Sequence, residues 1–448
     1  MSRQHPILTT RLIPLVLAMG ASFAAHGQSL VDLYTAALGY DASYQSARLQ
    51  FDATMAKADQ AQALLLPTVG LTASASQINQ DTLSPAVAAK SYTYDSQTAT
   101  VGVNQPLYRP ANWASYEQGK KQVDLAQAQL ASAEQDLIVR VAQAYFDVLG
   151  ASDSLTFVKS QKTAVAEQLA SAKRNFEVGT STITDSREAQ ARFDLVVAQE
   201  LGAENDLRVK SLALNQLVGR QNAAPKPLLS PVVLAEVQPG NVDTWVQQSE
   251  DNHPGIKQLV VALDVAKLET SKAQAGHKPT LDLTGSYTAV NYSNGTSTSA
   301  GVDSRANQAS IGLSFSLPLF AGFSVQNRVR ETLSLEDKAR ADLEATKRNI
   351  AQGTRTAFYG VQSGQAQVKA LEAAEASSQS ALDANKLGYQ VGVRINIDVL
   401  NSQSQLFDTK AKLAKARYDV LVGGLKLRQA SGTLKADDLQ PINAQLAR

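Results

Sequence analysis

The sequence predicts a mostly α-helical protein with a small β part, in which a β-hairpin and a set of long coiled-coil helices occur twice. Three observations predict it: an internal repeat at a nearly constant offset, alternating apolar runs in each repeat, and long proline-free stretches of helical periodicity beyond them. Over 448 residues the charges nearly cancel, 42 Lys+Arg against 41 Asp+Glu. That balance argues against a nucleic-acid partner, which would call for a basic surface. Mean hydropathy is −0.18, and residues 12–25 form the only long apolar run. A bundle of membrane-spanning helices, each needing about 20 apolar residues, is excluded. Cysteine is absent, so there is no disulfide, thiol nucleophile, thiolate metal site or acylated anchor.

In chain order, residues 1–27 read as a secretory signal peptide. Arg3 and Arg11 supply the positive start, residues 12–18 the short apolar core, and Ala25-His26-Gly27 a small-residue cleavage site. The mature chain is therefore expected to be exported. The repeat follows. Pro67 and Pro279 lie 212 positions apart, as do Pro106 and Pro318. Phe176-Glu177-Val178-Gly179 answers Tyr389-Gln390-Val391-Gly392, and Asp185 answers Asp398, both at an offset of 213. Such constancy marks one unit duplicated. The first repeat occupies residues 28–224, a linker 225–240, the second repeat 241–435 and a C-terminal tail 436–448.

Each repeat begins with a helix and continues into a β-hairpin, at 67–106 and 279–318. Ile311, Leu313, Phe315, Leu317 and Leu319 alternate with Gly312, Ser314, Ser316 and Pro318, a period of two that marks a strand. Val69, Leu71, Ala73 and Ala75 alternate in the same way, as do Val101 with Val103 and Leu281 with Leu283. Residues 79–96 and 291–307, rich in Ser, Thr, Asn, Gly or Asp, read as long polar loops. Beyond the hairpins the period becomes helical. Leu137, Val141, Tyr145, Val148, Val165 and Leu169 follow three-and-four spacing, and Leu343, Ile350, Val361, Val368, Leu382 and Tyr389 do likewise. No proline interrupts residues 112–176, enough for about 100 Å of helix, with a bend or junction expected at 150–154. Turns at 179–182 and 392–395, each opened by a glycine, reverse the chain.

Four strands cannot close a barrel, and an open sheet edge is not tolerated in lipid. Transmembrane barrels start at about eight strands, so chains must pool their hairpins; three chains give about twelve. With these elements in place, the sequence resembles the TolC family of trimeric outer-membrane channel-tunnels over essentially the whole mature chain. The resemblance is carried by Leu64-Leu65-Leu66-Pro67, Ala144-Tyr145-Phe146-Asp147-Val148-Leu149, residues 276–284 and 310–318, and Gly388-Tyr389-Gln390-Val391-Gly392 followed by Ile397-Asp398-Val399-Leu400. It implies a homotrimer with a twelve-stranded β-barrel in outer-membrane lipid and an α-helical barrel in the periplasm. It further implies docking to a periplasmic adaptor (membrane fusion) protein and an inner-membrane ABC or RND transporter.

The same resemblance nominates functional residues at the helical turns. Asp398 matches the family's pore-entrance aspartate. The second entrance aspartate is replaced by Asn401, which leaves one acidic ring where the family pattern has two. Tyr389 and Arg394 match residues that hold the closed entrance through neighbouring helices, and Thr184 and Asp185 match their partners. Gly179 and Gly392 mark the turns that would dock the adaptor. A plainer reading of Asp185 is helix capping, with Glu188 three residues on.

No catalytic, metal or cofactor site is expected. The mature chain keeps only His253 and His277, with no H-E-x-x-H, G-x-S-x-G, P-loop or G-x-G-x-x-G. Two functions fit: an export duct for proteins (type I secretion), small molecules (efflux) or both, and a structural outer-membrane coiled coil without transport.

Overall fold

The computed structural model describes residues 27–84, 87–229, 231–296 and 301–447. The expected signal peptide lies outside the described residues apart from Gly27. Two short helices, α1 (Leu30–Tyr40) and α2 (Ala42–Ala63), lead into strands β1 (Thr68–Ser84) and β2 (Val87–Tyr108). Helices α3 (Pro110–Glu177) and α4 (Ile183–Val218) complete the first repeat. The second copies it: α5 (Val242–Asn252), α6 (Pro254–Gln274), β3 (Thr280–Ser293), β4 (Ser304–Ser316), α7 (Ser324–Gln390) and α8 (Asn396–Ala430).

The long helices organise each repeat. At 68 and 67 residues, α3 and α7 each extend about 100 Å. Near the sheet α3 packs against α2 and further along against α4; α7 does the same with α6 and α8. The junction expected at 150–154 is absent, and α3 runs through it unbroken. Gly150 faces the Tyr418 ring of α8, which an added Cβ would meet at 3.7 Å. It marks a close helix approach, and a lone glycine costs only about 1 kcal/mol inside a helix held by packing.

The four strands form one antiparallel sheet in the order β1-β2-β3-β4. Its register sets Leu71, Val101, Tyr287 and Ala309 in one row, and Thr72, Thr100, Thr288 and Gln308 in the next. One face is therefore apolar and the other polar, stitched by Thr100–Thr288 and Ser286–Ser310 hydroxyl bonds at 3.0 and 2.8 Å. The apolar face stands open, with Leu71 73 % and Ile311 82 % exposed. Both hairpins reach further than expected: most of 79–96 and both ends of 291–307 are strand, and only 85–86 and 294–303 separate the paired strands. Ser, Thr and Gln tolerate extended backbone where cross-strand bonds supply the pairing, so polarity alone mislocated the loops. At the sheet's base Arg109 forks onto Asp282 at 2.7 and 2.5 Å, tying the start of α3 to β3.

The largest core lies at mid-length. Leu30 and Leu33 of α1 meet Leu137, Val141 and Tyr145 of α3, Leu214 of α4 and Leu425 of α8. The linker and the C-terminal segment pack into this belt. Leu439 and Leu446 are buried there, Leu229 N donates to Gln445 O, and Ala447 N to Pro227 O, both at 2.8 Å. The Tyr145 hydroxyl donates to the carbonyls of Gln28 and Lys226, fixing where the chain enters and where the linker leaves. A second cluster joins Trp245, Phe358 and Leu427 to linker residues Leu234 and Val237. Among the described residues no helix is long and apolar enough to cross a membrane.

Candidate functional site

The α3–α4 and α7–α8 turns meet at the end of the molecule remote from the sheet. Each is built on a glycine in the left-handed region, Gly179 at φ +80° and Gly392 at φ +83°. The backbone closes in the same way twice: Thr180 N donates to Asn175 O at 2.8 Å, and Val393 N to Gly388 O at 2.9 Å. These bonds satisfy last-turn carbonyls that a helix end leaves unpaired. The two hairpins are joined behind the turns by a small core of Val165, Leu169, Ala189, Val196 and Leu400.

Asn396, almost wholly buried, bridges the hairpins. Its Oδ1 accepts from Gln168 Nε2 of α3, and its Nδ2 donates to the Asp185 carbonyl of α4 at 3.4 Å. Asn175 Nδ2 of α3 donates to the Tyr389 hydroxyl of α7 at 3.2 Å. Arg192 of α4 donates from Nη2 to Asn401 Oδ1 of α8 at 2.8 Å. Sequence reading missed Asn175, Arg192 and Asn396. The position of Asn396 at the head of α8 offers the one local signal, a polar residue between Ile395 and Ile397.

Asp185 does cap a helix, but not as expected from Glu188. The N-cap is Thr182, whose hydroxyl accepts from Asp185 N at 3.2 Å, while the Asp185 carboxylate takes the Thr182 backbone N–H at 3.0 Å. The box thus sits three residues earlier, on Thr182 and Asp185. Ser181 adds a hydroxyl bond at 2.7 Å. Its donation, reinforced by Thr182, holds the Asp185 carboxyl below the usual carboxylate range.

The second turn differs. Ile395 caps α8 without any side-chain bond. Leu400 enters the cross-hairpin core and Val399 packs with Leu382 and Leu406 inside the second hairpin, so Asp398 and Asn401, one turn apart, share the less buried face of α8. Arg394 Nη1 lies 3.7 Å from Asp398 Oδ2. Within the chain, then, Arg394 meets Asp398 rather than Thr184 or Asp185, and Tyr389 meets Asn175. Around both turns Val178, Ile183, Val391, Val393 and Ile395 project apolar side chains into solvent.

A half-lipophilic sheet with open edges, standing on two duplicated helical hairpins about 100 Å long, defines a protomer of the membrane channel-tunnel class. The chain belongs to the outer membrane efflux protein family, whose model matches it twice, over residues 33–220 and 245–433. It is 33 % identical to the outer membrane protein TolC of Vibrio cholerae over 439 residues, 97 % of this chain and 98 % of that one. It is 30 % identical to the alkaline protease secretion protein AprF of Pseudomonas aeruginosa, over 78 % of this chain and 73 % of that one. The fold matches solved outer-membrane channels: VceC of Vibrio cholerae at a TM-score of 0.78 with 20 % identity, covering 90 % of this chain and 96 % of that one, and CmeC of Campylobacter jejuni at 0.78 with 16 % identity, covering 99 % and 97 %. It is accordingly an outer-membrane protein.

Proposed function

We propose that the chain is the protomer of a homotrimeric exit duct that works with a periplasmic adaptor and an inner-membrane ABC or RND transporter to export proteins, small molecules or both. One observation carries this reading: within a single chain, an open-edged sheet with one apolar face is continuous with long paired helices that end in polar, glycine-turned tips. The sheet is completed by neighbouring copies in lipid, because its unpaired edges cost several kcal/mol per orphan backbone group there. The relatives support both cargo classes, since their names include protease secretion proteins and an efflux protein. Residues 1–27 act as the signal peptide, 28–224 and 241–435 as the structural repeats, 225–240 as their linker and 436–448 as the closing segment.

At the far end Asp398 and Asn401 face the lumen, and the exposed apolar rim with Gly179 and Gly392 docks the adaptor. Tyr389 and Arg394, opposite Thr184 and Asp185 of the adjoining hairpin, hold the entrance closed in the assembled trimer. No group in this reading performs covalent chemistry; the work is done by shape, charge and docking. Purified trimer placed in a planar bilayer is expected to show discrete ion conductance. A folded trimer that conducts nothing would leave the structural coiled-coil role in its place.

A further inference from the structure

The two repeats bury matching positions until a neighbour is missing. Tyr145 and Phe358 answer one another at an offset of 213, as do Leu214 and Leu427, and all four are buried. Phe146 and Tyr359 answer one another too, yet Phe146, stacked on Tyr418 of α8, is 2 % exposed and Tyr359 is 54 % exposed. Val422 and Leu425 of α8 lie buried in the mid-length core, while their counterparts on α4, Val209 and Leu212, are more than half exposed. Among the four long helices α3 is flanked by α4 and by α8, whereas α7 packs lengthwise only on α8. The bare side chains are thus the two halves of a contact that the chain makes once, between its repeats. The sheet shows the same imbalance: β2 pairs with β3, and β1 and β4 are left as edges. Both hairpins share one internal register, Leu71 opposite Val101 and, 212 positions on, Leu283 opposite Leu313.

We propose that a second copy of this chain docks its first repeat on this copy's second repeat, by the same relation that joins the two repeats within the chain, with Ala75 of one copy paired to Leu313 of the other. The proposal rests on the homotrimer reading and adds the seam and its register. Within the chain Val101 pairs with Tyr287; carried over by 212 positions, that pair becomes Leu313 opposite Ala75 of the next copy, with Gly312 opposite its Ser76. Leu313 and Ala75 both lie on the apolar side of the sheet, so that side runs unbroken across the seam. A slip of one residue would set Leu313 against Ser74 or Ser76 of the polar side. The same placement brings Val209 and Leu212 of the next copy onto the α7 face at Tyr359, burying on each copy what it leaves open. Strands and helices therefore call for one neighbour in one position. Such a head-to-tail contact uses different surfaces on the two copies and ends only by closing a ring, which also removes the edges that lipid does not tolerate.

The chain has no cysteine, so paired substitutions report the register directly. Antiparallel partners lie about 4.5–5.5 Å apart at Cα, within disulfide reach. Within one chain β1 and β4 stand three strand spacings apart, about 14 Å, so a bridge between them joins two copies. Mild oxidation of Ala75→Cys with Leu313→Cys is expected to convert the membrane-inserted protein into covalent dimer and trimer bands that a reductant returns to monomer. Leu71→Cys with Leu313→Cys, displaced from pairing by four residues or about 13 Å, is expected to run as monomer on the same gel. Val209→Asp with Leu212→Asp, at positions outside the chain's own core, should lower the temperature at which the trimer dissociates in detergent. Bridging by the displaced pair, or none by Ala75→Cys with Leu313→Cys in a trimer of normal abundance, overturns the register. An unchanged dissociation temperature overturns the helical half of the seam. Sedimentation of the unmodified protein as a folded monomer overturns the homotrimer reading itself, and this proposal with it.

Discussion

The two helical turns share a backbone and differ in how the next helix starts. After Gly179, Thr182 and Asp185 cap α4 reciprocally, and Ser181 adds a third hydrogen bond to the same carboxylate. After Gly392, α8 begins at Ile395 with no side-chain cap, and Asp398 touches only a solvent-exposed arginine. Duplication preserved the φ-positive glycine that the reversal demands and let the cap diverge. The acid of the first turn is consumed in holding its own helix, whereas the acid of the second pairs with the exposed Arg394 one turn before it.

The largest effect should come from the opposite helix ends, where the repeats also differ. Gly219 and Gly432 both take positive φ, at +67° and +72°. A Cβ at Gly219 would strike the ring of Tyr40, which is half exposed and free to swing, whereas at Gly432 it would strike the His253 backbone at 2.4 Å. Gly432→Ala should therefore destabilise the folded chain by about 3 kcal/mol, and Gly219→Ala by about 1–2 kcal/mol. Equal melting temperatures for the two variants would erase the asymmetry.

At the tips, neither Gly179 nor Gly392 has a neighbour within 4 Å of an added Cβ, so only backbone strain opposes substitution. Gly392→Val and Gly179→Val should each cost about 2 kcal/mol locally. Trimer abundance should stay normal while export falls. Export at unmodified levels from either variant would remove that tip from the docking surface.

Thr182→Ala should cost about 1 kcal/mol and show as faster hydrogen exchange at the first turn of α4 but not of α8. The acid dependence sharpens this contrast. Because the Asp185 carboxyl is held below its ordinary range, its stabilisation is complete above about pH 4 and lost as pH falls further through its folded value. Exchange protection at the head of α4, corrected for intrinsic rates, should decline in that acid range. In Thr182→Ala the decline should shrink. The smallest changes in stability belong to Arg394→Ser and Asp398→Ala, within about 0.5 kcal/mol because the pair is exposed. Their signature should appear in bilayers instead: a larger open fraction for Arg394→Ser, and reduced cation preference for Asp398→Ala.

Much of this architecture was legible in the residues. The offset of 212 to 213 exposed the duplication, and the Ile311–Phe315 alternation gave the lipid-facing side. Four features stayed hidden for separate reasons. Strand ends such as 79–82 are polar on both faces, with Asn79 and Asp81 on the same side as Leu71, so composition there resembles a loop. Gly150 reads as a break, yet it is a contact point whose reason, Tyr418, lies 268 positions away. The Thr182–Asp185 box was visible as a Thr-x-x-Asp pattern but was masked by the turn residues around it. Arg192 carries no local signal, because its meaning depends on which residue stands at 401, on another helix.

The sheet's bare edges also govern how the protein reaches its destination. Before assembly each chain displays two unpaired strands and an oily face at once, a combination that invites adhesion to any extended polypeptide nearby. Lipid offers a lone chain no refuge either, since its edge amides would enter hydrocarbon unbonded. Biogenesis must therefore run as a meeting of copies before or during insertion, with a rate that rises more steeply than linearly with the supply of chains. Low expression should then delay the appearance of barrels out of proportion to the chains made, and a partner that shields the sheet in transit would relieve that delay.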